Sequence, residues 1–198
     1  MSLPRRVRGE EQGFSLIEML TVMIIMSVVL TGLTTLFVQG SNAERDLNRR
    51  FEAQQESRVA LDKIRREIHC AQAAVTTPTT GGAPRVQLDL PGQCPTAVGG
   101  AQTTVTWCSV LVSTGRYRLY RKVGVTCDAT GVRWADYLTE ANLFENQLAS
   151  TDSLAKVRVS FPVDVKPGDA TPAYRLCDHI VLRNTLRVGT AGTALTAC

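Results

Sequence analysis

The chain has 198 residues, 44% hydrophobic and 20% charged, with a net charge of +4. That length allows one compact domain plus an extended element, and the composition excludes wholesale disorder. The small net charge also argues against a protein that works mainly through phosphate contacts, which concentrate far more positive charge on one face.

The averages conceal an asymmetry at the N-terminus. Residues 1–13 carry Arg5, Arg6 and Arg8 together with Glu10 and Glu11. From Phe14 to Val38 the chain is apolar, and its only charge is Glu18. As a helix rising about 1.5 Å per residue, that stretch reaches roughly 38 Å, enough to cross a hydrocarbon core of about 30 Å. It is too long for the apolar core of a cleavable secretory signal, about 7–15 residues, and no small-residue cut site closes it. Arginines on its N-terminal side place that end in the cytoplasm. A plain membrane anchor explains the length but not Glu18, because an acid within a membrane helix costs on the order of a few kcal/mol and normally has a partner. Thr31, Gly32, Thr34 and Thr35 interrupt the apolar run, either as ordinary close-packing residues or as a point where the helix can loosen.

Beyond Val38 the pattern becomes amphipathic. Leu47, Phe51, Leu61, Ile64, Ile68, Ala71 and Val75 recur at three- and four-residue intervals, which predicts one apolar helical face. Asp46 with Arg50 and Asp62 with Arg66 are acid-first pairs four apart that support the opposite face. The first break signal is Thr76-Thr77-Pro78, so a single helix over about 14–74 is expected, with residues 39–75 covered by a sheet. Strands are expected at Arg85–Leu90, Thr103–Val112, Arg116–Val123, Val157–Val165 and Tyr174–Asn184. The second and third form a hairpin across Ser113-Thr114-Gly115. Pro162 cannot donate to a ladder and points to an edge or a bulge. Asp136–Leu148 reads as a connection, with a short helix as one option, anchored by Leu138, Leu143, Phe144 and Leu148. The fold class is therefore α+β, a long N-terminal helix whose second half packs on an antiparallel sheet.

The six cysteines, Cys70, Cys94, Cys108, Cys127, Cys177 and Cys198, all follow the apolar segment. An even number confined to an exported part argues for disulfides in an oxidising compartment. Six allow fifteen pairings, and Cys94 with Cys108 is the most local of them. A metal site is disfavoured, since His69-Cys70 and Cys177-Asp178-His179 lack zinc-ligand spacing with a partner pair. No nucleophile elbow, phosphate loop or dinucleotide fingerprint is present, so no catalytic residue and no cofactor is expected. Asp178 and His179 point to opposite faces of a strand, and His69 fits burial beneath the head. Arg116, Arg118, Arg121, Lys122 and Arg133 form a modest basic cluster, read as a solvated strand face ahead of a nucleic-acid site. Trp107, Tyr117, Tyr120 and Trp134 read as packing aromatics ahead of a sugar site.

The string Gly13-Phe14-Ser15-Leu16-Ile17-Glu18-Met19-Leu20 closely resembles the prepilin signature shared by type IV pilins and type II secretion pseudopilins. A basic leader ends in glycine, the next residue is Phe, and a glutamate is fifth after the cut. The resemblance implies a leader at 1–13, a membrane and filament-core helix at 14–38, its amphipathic continuation at 39–75 and a head at 76–198. It implies cleavage between Gly13 and Phe14 by a prepilin peptidase, N-methylation of Phe14, and pairing of Glu18 with the Phe14 amine of a neighbouring subunit. Its partners would be the lipid bilayer before assembly, an inner-membrane assembly platform, and major and minor pilins in the filament. The precursor would be a single-pass protein of the cytoplasmic membrane, later displayed on the cell surface. Within that family the chain looks most like a minor pilin. The alternatives are a type II secretion pseudopilin, a DNA-uptake pilin, and a membrane-anchored extracytoplasmic binding domain that never polymerises.

Overall fold

A computed structural model of the chain describes residues 13, 15–77, 84–97, 99–168, 173–185 and 194–198. Residues 1–12, which hold most of the expected leader, and Phe14 lie outside these residues. The chain divides into two compact units, Met1–Leu47 and Asn48–Cys198. Helix α1 covers Leu16–Cys70. Among the described residues eight strands follow: β1 (Ala73–Thr77), β2 (Arg85–Leu90), β3 (Thr103–Ser113), β4 (Arg116–Val123), β5 (Val132–Leu138), β6 (Phe144–Gln147), β7 (Lys156–Val163) and β8 (Tyr174–Val181).

Every strand pairing is antiparallel, in the order β1-β2-β3-β4-β5-β7-β6, with β8 on the other side of β7. The sheet curls into a half-barrel. Its two ends come close enough for the Thr76 hydroxyl on β1 to donate to Asn146 Oδ1 on β6, while Asn146 Nδ2 donates to the Ala74 carbonyl at 3.4 Å. Curling in this way follows from the right-handed twist of strands and leaves less open edge.

Within the second unit, α1 buries Ala53, Ser57, Ala60, Leu61, Ile64, Glu67 and Ile68. The sheet covers this stripe with Val86, Leu88, Val105, Trp107, Leu119, Leu138, Val159, Phe161 and Ile180. The stripe begins with the small residues Ala53, Ser57 and Ala60 and continues through the aliphatic Leu61, Ile64 and Ile68. Fully burying each large aliphatic or aromatic side chain contributes about 1.5–3 kcal/mol.

The helix differs from its expected course at both ends of the stripe. Leu47 and Phe51 are 66% and 67% exposed, so the stripe runs through small residues in their place. Asp62 pairs with Arg65 at 2.7 Å, not with Arg66. The helix stops at Cys70, and Ala73–Thr77 becomes a strand, where Val75 is exposed. Local propensity favours helix through Ala71-Gln72-Ala73-Ala74, but tertiary contacts override it. Gln72 N–H bonds the Asp89 carbonyl, β1 zips onto β2, and Asn184 Nδ2 caps the Cys70 carbonyl at 2.7 Å.

The segment expected to be a connection contains strands β5 and β6, and Leu148 is exposed, not an anchor. Pro162 lies inside the sheet, not on an edge. On that side of β7, Ser160 N–H bonds Leu143 O and Asp164 N–H bonds Tyr137 O. Pro162 falls between them, where β7 passes from β6 to β5, and there it serves only as an acceptor for Thr139 N–H.

Strand β5 carries a local distortion. Its register with β4 shifts around Leu119, and Tyr137 adopts φ +61°. A non-glycine residue in the left-handed region costs roughly 1–2 kcal/mol, and glycine is the usual choice at such bulges.

Three disulfides tie the second unit: Cys70–Cys94, Cys108–Cys127 and Cys177–Cys198. The local pairing of Cys94 with Cys108 is not formed. Cys94 reaches back to the end of α1, while Cys108 is drawn toward the loop after β4, where the Thr106 hydroxyl also bonds the Gly124 carbonyl. The tight loop holding Cys94 depends on Gly92, since a Cβ there would sit 2.0 Å from the Gly100 carbonyl oxygen.

Candidate functional site

The apolar N-terminal half of α1 is exposed along its length, from Leu16 at 82% to Phe37 at 78%. An 18-residue window in it has mean hydropathy 2.3, and none of that window is buried. Side chains this apolar need a hydrocarbon or protein environment that the chain itself does not supply.

The segment is also self-sufficient in hydrogen bonding. The hydroxyls of Thr21, Ser27, Thr31, Thr34 and Thr35 donate to helix carbonyls three or four residues back, at 2.7–2.9 Å. Those bonds leave the polar groups satisfied in an apolar medium. The helix runs through Gly32, where an added Cβ would meet nothing within 4 Å.

Glu18 occupies the first turn, where Glu18 N–H and Met19 N–H both bond the Ser15 carbonyl. A carboxylate at a helix N-terminus is favoured by the partial positive charge there. Its side chain is exposed, and Gly13 lies just ahead, also exposed. Gly13 and Glu18 therefore stand at the same accessible end of the helix. Phe14, expected to supply the cleavage product's amine, lies outside the described residues.

The head holds its ionic chemistry in pairs. Glu67, fully buried on α1, accepts from Trp107 Nε1 at 2.7 Å and Arg121 Nε at 3.0 Å, with Lys63 Nζ at 3.7 Å. Lys122 donates to Asp128 at 2.9 Å. That bond, with those from the Thr130 hydroxyl and N–H, holds the Asp128 carboxyl down at about 2. Arg116, Arg118 and Arg133 converge on Asp136. Burial pushes the Asp136 carboxyl up, but the Tyr137 N–H and the Arg118 and Arg116 guanidiniums outweigh it and hold the group below its ordinary value. The basic cluster is thus a partly exposed strand face on which each of the five members has a carboxylate partner.

The aromatic residues behave as packing elements. Trp107 is fully buried, with Trp134 tilted against it at 5.6 Å between ring centroids. His69 is half-buried, its Nδ1 2.9 Å from the Val181 carbonyl. Asp178 pairs with Arg65 at 2.8 Å, whereas His179 faces the Thr196 carbonyl, so the two are not brought together. Among the described residues, no group of three or more metal-ligating side chains converges.

Three residues central to this network escaped sequence reasoning: Glu67, Asp128 and Asp136. A signal existed for Glu67, which falls in phase with Ala60, Ile64 and Ile68 and so must be buried with them. Asp128 and Asp136 gave none, because their importance comes from cross-strand register.

A long helix with an apolar N-terminal half and one carboxylate in its first turn, followed by an antiparallel sheet that packs on the helix's later turns, is consistent with a pilin-like fold. Residues 8–34 match the family model of the prokaryotic N-terminal methylation motif. The chain therefore carries a prepilin-type motif and is consistent with the type IV pilin family, as a pilin-like or pseudopilin-like protein. No curated protein and no solved structure matches it.

Proposed function

We propose that the chain is a minor type IV pilin-like subunit, a structural protein and not an enzyme, that assembles into a filament through its N-terminal helix. The observation that carries this is the combination at one helix end of the methylation motif, an exposed Gly13 and an exposed Glu18. A prepilin peptidase cuts before Phe14, and the leader's arginines keep that end cytoplasmic until the cut. The new Phe14 amine then pairs with Glu18 of an adjacent subunit. In an apolar setting either charge alone is costly, so the pair sets register between helices, while apolar packing supplies cohesion. A head fastened by three disulfides supports a specialised, extracytoplasmic role over that of a bulk filament subunit.

Mass spectrometry of the N-terminus, taken separately from membranes and from sheared surface filaments, tests this reading. A mature form beginning at Phe14 and present in filaments is expected. A chain that still begins at Met1 and occurs only in membranes would make it an anchored domain that does not polymerise.

A further inference from the structure

We propose that the surface around Asp136 is an anion-recognition site that takes the side-chain carboxylate of an acidic segment on a partner protein. The proposal stands apart from the filament reading, since it concerns the head alone.

One buried carboxylate gathers three guanidiniums here. Asp136, 4% exposed, accepts from Arg116 Nε and Nη2 at 3.2 and 3.1 Å and from Arg118 Nε at 2.8 Å. Arg133 Nη1 lies 3.5 Å away. Arginine does not lose its proton in proteins, so one negative charge against three positive ones leaves a lasting surplus. That surplus is accessible, for the three side chains are 35%, 31% and 50% exposed. Glu56 lies 3.8 Å from Arg133 and offsets part of it on that side only.

The arginines are also held in place. The Arg116 guanidinium lies over the Tyr137 ring, 4.0 Å from its centroid, and Tyr137 N–H donates to Asp136 Oδ1 at 2.7 Å. Tyr137 does this from the left-handed conformation that glycine would occupy without strain. Strain of this kind persists where the surrounding structure enforces it, and it concentrates at binding and switch sites. What a tyrosine provides here, and a glycine cannot, is a ring that fixes the plane of Arg116. A fixed, planar, partly exposed guanidinium pair matches a carboxylate in two-point geometry.

Nucleic acid is the poorer fit. The neighbouring cations that would extend the surface are already paired, Arg121 with Glu67 and Lys122 with Asp128. The positive surplus is therefore confined to one spot, whereas binding to a phosphate backbone needs several contacts strung along it.

The test uses the full chain in detergent micelles and the anisotropy of a fluorescein-labelled hexaglutamate peptide, with an oligothymidylate of matched charge as the rival probe. The peptide is expected to bind the parent and Lys122→Gln alike, and to bind at least tenfold more weakly to R116Q/R118Q/D136N. The third change keeps the buried carboxyl from being left unpaired. Tyr137→Gly relieves the backbone strain while losing the ring's packing, and is expected to stay folded and to bind at least threefold more weakly. Should the triple variant not fold, Tyr137→Gly alone decides. Equal peptide binding by parent and variant would overturn the proposal. Tighter binding of the oligonucleotide than of the peptide by the parent would overturn it in favour of nucleic acid.

Discussion

Arg121 on β4 reaches the carboxylate of Glu67 on α1 with Nη2 2.9 Å from Oε1, and the acid in this pair is fully buried. Trp107 Nε1 closes the other oxygen of the same carboxylate. One side chain of the helix is thus fastened to two adjacent strands. Removing one member of a buried ion pair leaves the other uncompensated, at about 3–5 kcal/mol. Glu67→Ala is expected to lower the denaturation midpoint of the head accordingly. A double-mutant cycle with Arg121→Ala should give a coupling energy of about 0.5–3 kcal/mol. Strict additivity in urea unfolding would show that the pair contributes nothing beyond its separate parts.

The covalent ties should be complete. Thiol labelling of unreduced, unfolded protein from an oxidising compartment is expected to find no reactive cysteine, and six reactive ones would refute the pairing. Replacing Cys70 and Cys94 together with Ser opens a loop of sequence separation 24 and should cost about 2–4 kcal/mol of head stability.

Asp136 gives the head a pH dependence of known sign. Its folded carboxyl lies below the ordinary 3.8, so its contribution is complete above that value and is lost as pH falls through the lower folded value. Asp136→Asn should therefore be less stable than the parent near neutrality. The gap should close as the pH is lowered below about 4. A gap that widened on acidification would contradict the arrangement of Arg116 and Arg118 around it.

At the other end of the chain, Glu18→Ala is expected to leave export and head melting unchanged while the protein fails to enter filaments. Fractionation of sheared filaments by immunoblot reads this directly. Normal incorporation of the variant would sink the charge-pairing mechanism.

How much of this could be read from the residues depended on how local the cause was. Arg85–Leu90 and Arg116–Val123 were delimited correctly, because alternation and turn residues act over a few positions. The apolar span with Glu18 was equally plain. The helix end was not, because Ala71–Ala74 favours helix and only Asp89, Asn184 and the β2 ladder convert it into a strand. Hydrophobicity places Leu47 and Phe51 on the buried face, whereas the sheet covers Ala53, Ser57 and Ala60. Strands β5 and β6 lacked clean alternation since β5 contains Asp136 and the bulged Tyr137. The disulfides were out of reach of spacing alone, as the nearest cysteines in sequence were not the ones the register of β3 and β4 brought together.

The bond from Cys70 to Cys94 has a mechanical consequence. Tension drawn along α1 from its N-terminal side meets the buried turns from Ala53 to Glu67 and then, three residues on, a covalent link to the loop between β2 and β3. The load passes into the sheet through β2 and β3 and bypasses Ala71 and Gln72, the short span that precedes β1. Peeling β1 away would therefore not release the helix. With its disulfide closed, the head resists traction as one body, and it would become the weakest link under load only after reduction.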